Sequence, residues 1–303
     1  MLDKIRYVIK RAKFVKINYI VLNKFISKIN HSDIHIVLNN DLFQSIDDYE
    51  TKINTLFVFG CVNFAFWTLE TKTSESKKVI KAINNLLHNG KNKPLSEVLI
   101  NISLSELTNL INSDDLLFVH ERWHNLREAG LILNYKYNNS YLNLLKDADF
   151  NAVKALSLTI KYFPSFDDRS IYHGQEVEFH KRAQVLLGDI SSMPNQSNKL
   201  KNIDKLIGGA DYRIPQLFRH LKILQYSKRL EDKIDSQELI LSGSDEEIEI
   251  RANTLWVIDM IKDKLNANSK KQINAMELDN YLWRLSKKFV KMEPHHRTIS
   301  IYY

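Results

Sequence analysis

Gly209-Ala-Asp-Tyr-Arg-Ile-Pro-Gln-Leu217 sets a proline two residues behind an arginine and four behind an aspartate. Proline has a fixed φ and no N–H to lose, so it suits the first helical position, and it drives the residue before it out of the α region. A helix is therefore expected to begin at Pro215, with Leu217, Phe218, Leu221 and Leu224 recurring at helical spacing on its buried face. Asp211 then lies in the loop leading into that helix. The positive end of the helix dipole favours an ionised carboxylate there, and Arg213 favours it further or holds an anionic ligand. The same residues also read as an ordinary cap, in which Asp211 satisfies free N–H groups and pairs with Arg213. The segment alone leaves both readings open.

Helical pattern extends to the rest of the chain. The 303 residues include only 8 Gly and 5 Pro, well below the average usage of about 7% and about 5%. Sheets joined by tight turns need those residues, so an all-α fold in a single domain, 1–303, is expected. A hydrophobic content of 44% with 26% charged residues argues against disorder. No run reaches the roughly 18 to 20 apolar residues that span a bilayer, so no membrane partner is expected. Cys61, the single cysteine, sits in Phe57-Val-Phe-Gly-Cys-Val62. It excludes an internal disulfide, reads as a small buried hydrophobe, and fits a reducing, cytoplasmic compartment. The net charge of +7 points to an anionic partner such as a nucleotide or phosphate. Because the basic residues are spread among 36 acids, nucleic acid is possible as a partner but not required.

Residues 1–30 read as helix with their lysines in solvent, and the apolar run Ile53 to Trp67 as a buried helix. Lys72 to Lys93 is largely polar and closes in the loop Asn89-Gly-Lys-Asn-Lys93. Helices are expected over Ser96 to Ile111, Asp114 to Leu131 and Leu142 to Tyr162, with a turn at Asn138 to Ser140 and an irregular connector from Phe163 to Gly174. Glu176 to Ile190 reads as helix and Ser191 to Asn198 as a polar loop containing Pro194. Ser242-Gly-Ser-Asp-Glu-Glu-Ile248 is a capping pattern ahead of a helix to Leu265, and Ala275 to Val290 is the last helix. The tail after Pro294 is extended.

Chemistry-bearing residues cluster in these elements. Glu178, Lys181 and Arg182 have helical offsets, which suits surface ion pairs or a phosphate grip by Lys181 or Arg182. Asn63, Phe64, Phe66 and Trp67 suit core packing, or a slot that stacks a heterocycle while Asn63 reads its edge. His295 and His296 point in different directions, so no metal site is expected, while His296 and Arg297 suit a phosphate. Walker loops, dinucleotide-binding glycine triplets, nucleophile elbows and His-Glu-x-x-His are missing.

Seven strings stand in order along the chain: Asn63-Phe-Ala-Phe-Trp67, Phe163-Pro-Ser-Phe-Asp-Asp168, Val177-Glu-Phe-His-Lys-Arg-Ala-Gln184, Ala210-Asp-Tyr-Arg-Ile-Pro-Gln216, Glu247-Ile-Glu-Ile-Arg-Ala252 with Trp256, Leu278-Asp-Asn-Tyr-Leu-Trp283, and Pro294-His-His-Arg-Thr298. Together they resemble the queuosine salvage proteins, which hydrolyse queuosine 5′-phosphate to release the modified base queuine. Ala12-Lys-Phe-Val-Lys-Ile17 adds to the likeness.

The resemblance implies an all-helical fold related to helix-hairpin-helix DNA glycosylases, a nucleotide substrate, and N-glycoside hydrolysis with no metal and no cofactor. It implies Asp211 as the carboxylate that stabilises an oxocarbenium-like state and takes a proton from the attacking water. Lys181 stands beside it as a second catalytic or phosphate-holding group. Arg213 and Arg297 are candidates for the 5′-phosphate, Phe66 and Trp67 for stacking, and Asn63 and Asp279 for the base edge or its cyclopentenediol. Tyr212, Gln216 and His296 complete the expected binding set. A 7-deazaguanine has no N7 to protonate, and Asp168, Glu178 and Asp279 are equal candidates for the acid that assists its departure.

The chain departs from the family pattern at Gly60, where many members carry an aspartate, and between Trp67 and Leu95. Another 7-deazapurine nucleotide as substrate, or a non-catalytic module that binds modified nucleic acid, are the alternatives.

Overall fold

Polar side chains start most of the helices by accepting the N–H groups that the first turn leaves free. Asn18, Asp48, Ser103, Ser140, Asn151, Ser227, Ser244 and Asn274 each do so. The computed structural model describes residues 1–38, 46, 48–68, 75–193, 199–267 and 269–303. Its helices are α1 (Leu2–Ile9), α2 (Tyr19–Ile26), α3 (Tyr49–Val62), α4 (Ser76–Asn89), α5 (Leu95–Asn101), α6 (Leu104–Ile111) and α7 (Val119–Lys136). There follow α8 (Tyr141–Asp147), α9 (Ala152–Tyr162), α10 (Lys181–Ser192), α11 (Arg213–His220), α12 (Lys228–Asp235), α13 (Asp245–Asn266) and α14 (Ala275–Ser286). Strands β1 (Val15–Ile17) and β4 (Leu224–Tyr226) pair antiparallel, as do β2 (Arg169–Tyr172) and β3 (Gln175–Glu178). The fold is mostly helical, as the scarcity of Gly and Pro implies.

Several elements differ from the sequence expectation, each for a local reason. Helix α11 begins at Arg213, with Pro215 in its third position. The Asp211 carboxylate accepts the N–H groups of Arg213 (2.7 Å) and Ile214 (3.3 Å), which starts the turn early. A proline so near the start removes no intrahelical bond. The helix stops at His220, and Leu224 belongs to β4. Residues 1–30 break into α1, β1 and α2, because the Glu249 carboxylate accepts the N–H groups of Lys13, Phe14 and Val15 and holds them extended.

The expected helix from Ser96 to Ile111 divides at Ile102 and Ser103 into α5 and α6. That from Leu142 to Tyr162 divides at Asp149 and Phe150, whose φ values of 54° and 51° are left-handed. The connector after Phe163 contains a hairpin instead of irregular chain. His173 (φ 47°) and Gly174 (φ 81°) are its two turn residues, the positive-φ pair that a tight hairpin requires. Glu178 is therefore in β3 and not on the helix that carries Lys181. The polar stretch after Lys72 contains α4, and Pro194 lies outside the described residues.

Two apolar clusters form the interior. One gathers α3, α5, α7, α8, α9 and α10 around Phe57, Phe163 and Leu187, and the other surrounds α13 with α1, α11 and α14. Cys61 is fully buried in the first.

Where the clusters meet, a buried ion pair ties the chain together. Arg251 on α13 donates to both Asp168 oxygens, at 3.0 and 2.5 Å, and to the carbonyl of Ala210 at 3.3 Å. Asp168 also accepts the N–H of Lys181 at 3.3 Å, while Arg251 lies over the rings of Phe179 and Tyr303.

Removing one partner of such a pair leaves a buried charge uncompensated. Asp168→Ala is expected to lower unfolding stability by about 3–5 kcal/mol. Glu178→Ala, which removes a partly exposed pair with Lys4, should cost less than about 1 kcal/mol. Urea denaturation of the two variants checks the contrast.

Candidate active site

Two further buried arginines shape the segment that follows α3. Arg182 donates to the carbonyls of Gly60 (3.0 Å), Cys61 (2.8 Å) and Ser165, and Arg122 to those of Val62 (3.3 Å), Phe64 and Ala65 (3.3 Å). With its carbonyls held, the chain leaves the helix at Asn63, passes through a left-handed Ala65 (φ 42°) and turns Phe66 and Trp67 toward a cavity. Ala65 donates its N–H to the Tyr303 carbonyl at 3.0 Å. The Phe66 ring lies parallel to Phe59 with centroids 6.3 Å apart, and these aromatics line one side of the cavity.

The cavity has a volume of about 740 Å³, within the range of roughly 300–1,000 Å³ typical of small-molecule sites. Lys181 opens α10, Asp211 precedes α11 and Asp279 lies on α14, and all three face the cavity. Asp279 accepts the N–H of Gly209 at 2.8 Å. Burial pushes its carboxyl up to about 8, with Asp211 and Asp189 adding to the effect against the Gly209 hydrogen bond and Lys181. Asp189, further along α10, is raised to about 7 by burial against the pull of Lys181. Burial lowers Lys181, opposed by Asp211 and Asp279. The wall thus holds a carboxyl that keeps its proton near neutral pH beside the side chains of Asp211 and Lys181. Gly209 is needed where these meet: a Cβ there would lie 2.8 Å from Val185 Cγ2 and 3.2 Å from Lys181 Cγ.

The cavity also carries cationic side chains. Lys77, Arg213, Lys287, His295 and Arg297 line it. Burial lowers Lys287, and Arg213 and Lys77 lower it further. Its ammonium sits 3.4 Å from the Trp283 ring centroid, and no described carboxylate pairs with it. Burial takes His295 down to about 4, so it is neutral at physiological pH; its ring packs 4.6 Å from that of Tyr212. Positive charge of the kind that Arg213 and Lys287 bring, without a described carboxylate partner, suits a phosphate.

Of the residues singled out in the sequence, Asn63, Phe66, Trp67, Lys181, Asp211, Tyr212, Arg213, Gln216, Asp279 and Arg297 come together on this cavity. Three do not. Asp168 is held by Arg251, Glu178 pairs with Lys4 at 3.0 Å, and His296 is buried behind the wall while its neighbour His295 lines it. Asp211 caps α11 and faces the cavity at once, so the two readings of it are not exclusive. Asp189 and Lys287 escaped notice, although each lies eight residues beyond a chosen residue on the same helix face, along 181, 185, 189 and 279, 283, 287. Among the described residues, no cluster of three or more potential metal ligands occurs and no helix is long and apolar enough to cross a membrane.

Comparison with known proteins gives a consistent result. The family model described as queuosine salvage protein matches residues 43–303. A relative from Dictyostelium discoideum named queuosine 5′-phosphate N-glycosylase/hydrolase is 31% identical, covering 96% of this chain and 95% of its own. Relatives of the same name from Mus musculus and Sphaerobacter thermophilus are 30% and 29% identical, covering 84% and 88% of this chain and 82% and 85% of theirs.

The raised carboxyl of Asp279 is linked to folding. Its native form holds a proton up to about pH 8, whereas an unfolded aspartate loses it near pH 4. The native state therefore binds more protons in that interval, and stability falls as pH rises from about 4 to about 8. Asp279→Asn is expected to flatten this decline in urea midpoints measured across the interval. An unchanged slope would remove Asp279 as its source.

Proposed function

The chain belongs to the queuosine salvage protein family, and on that premise we propose that it hydrolyses queuosine 5′-phosphate to queuine and ribose 5-phosphate. The observation that supports the assignment of roles is the meeting of Asp211, Lys181 and a protonated Asp279 on a cavity that aromatic rings and cationic side chains also line. A nucleotide has parts suited to each: flat base, sugar, phosphate.

In this reading the base stacks against Phe66 and Trp67, and the phosphate meets Arg213, Lys287 and Arg297. The anomeric carbon then lies before Asp211. Breaking the C1′–N bond leaves its electron pair on the base and positive charge on the ribose ring. The Asp211 carboxylate stabilises that charge and takes a proton from the water that adds to C1′. Asp279 gives its proton to a nitrogen on the base edge, so the base leaves neutral although it offers no N7. The net transfer of a proton from Asp279 to Asp211 is reversed through solvent. Lys181 balances the charge of Asp211 during these steps. The same reading places the enzyme in the cytoplasm, in keeping with its buried, unreactive thiol.

Asp211→Asn keeps an oxygen to cap α11 but removes the carboxylate, so turnover should fall at least about 100-fold while substrate binding survives. Chromatographic measurement of released queuine, with equilibrium binding alongside, checks this; near-normal turnover would take Asp211 out of the mechanism. For Asp279 the active form is protonated. Wild-type activity should therefore decline as pH rises through about 8, and Asp279→Asn should lower kcat and lose that limb of the pH profile.

A further inference from the structure

Asp189 takes no part in the steps above, yet it faces the same cavity as Lys181 and Asp279. Lys181, Val185 and Asp189 project from one face of α10, and two helical turns set the Cα atoms of Lys181 and Asp189 roughly 12 Å apart along the axis. Asp189 interacts electrostatically with both Lys181 and Asp279, so its carboxyl lies next along the wall from the group assigned to the departing base. The side chain makes no hydrogen bond or ion pair with any described residue; its backbone belongs to the α10 ladder, and its carbonyl also accepts from the Ser192 hydroxyl at 2.8 Å. A partly buried carboxyl left without a described partner on a cavity wall is suited to donors that a ligand brings.

The kind of donor follows from shape. A guanine-type base carries its ring N1–H and its exocyclic 2-amino N–H side by side, and the two oxygens of a carboxylate match them. An adenine-type base offers an acceptor at N1, and a hypoxanthine-type base lacks the 2-amino group. Resting on the proposed hydrolysis of a deazaguanine nucleotide, we infer that Asp189 is the specificity-determining residue that reads the N1–H and 2-amino edge of the base. Asp279 then serves the part of the base nearer the sugar and Asp189 the far edge, while Phe66 and Trp67 accept any flat heterocycle and do not discriminate.

The test is binding of two free bases, 7-deazaguanine and 7-deazahypoxanthine, to the full chain and to its Asp189→Asn variant. A bidentate pair discriminates by about 1–3 kcal/mol, so the wild type should prefer 7-deazaguanine by roughly 5- to 150-fold. Asp189→Asn, which keeps one oxygen but replaces the other with a donor, should shrink the preference to within about threefold. A wild type with equal affinity for the two bases, or without measurable affinity for either, overturns the inference before the variant is consulted. A variant that retains the full preference overturns it as well. Turnover is not involved in this measurement. Wild-type protein that releases queuine but shows no base preference would refute the role of Asp189 alone, whereas failure to release queuine would refute the hydrolase reading itself.

Discussion

One buried ion pair sets the geometry on which the cavity depends. Asp168 and Arg251 are each about 2% exposed as side chains, and together they hold three stretches of chain that are distant in sequence. Asp168 takes the N–H of Lys181 at the start of α10, and Arg251 takes the carbonyl of Ala210, the residue before Asp211. The spacing between the ammonium of Lys181 and the carboxylate of Asp211 is thereby tied to a single bidentate contact. Glu247 and Tyr303 extend the arrangement, since Glu247 accepts from both Arg251 (3.3 Å) and the Tyr303 hydroxyl (2.9 Å), and Tyr303 lines the cavity. Charges buried this deeply are tolerated because every polar side is engaged.

The cavity wall then separates the behaviour of neighbouring carboxyls by environment. Asp279 sits in a buried position near other acids and keeps its proton near neutral pH. Asp211 lies at a helix start, where two backbone N–H groups point at its oxygen. In the proposed reading these two carboxyls act as the donor and the acceptor of protons, the pairing that hydrolysis of a glycosidic bond uses. Arg213 and Lys287 lack described carboxylate partners, and in the proposed reading their charge meets the phosphate of the substrate.

Much of this was legible in the sequence, in particular places. Scarce Gly and Pro were enough for the helical class, and the strings around Asn63, Lys181, Asp211 and Asp279 each supply residues that line one cavity. The helix boundaries were less accessible. Positive φ at Asp149 and Phe150, or at His173, is imposed by contacts from elsewhere and has no strong local signal in non-glycine residues. Asp168 illustrates another limit: an acid suited to catalysis and an acid that anchors an arginine look alike until Arg251, 83 positions away, is seen beside it. Asp189 was missed for the opposite reason, since a lone aspartate among apolar residues reads as an exposed position unless the helix face through Lys181 is traced.

A crystal structure of the Asp211→Asn variant with intact queuosine 5′-phosphate would test the central claim most directly. The expected result is a nucleotide in the cavity with its anomeric carbon within about 3.5 Å of the residue 211 side chain or of a water held by it, the base edge on Asp279 and the phosphate near Arg213. A nucleotide bound elsewhere, or one whose sugar faces away from residue 211, would contradict it.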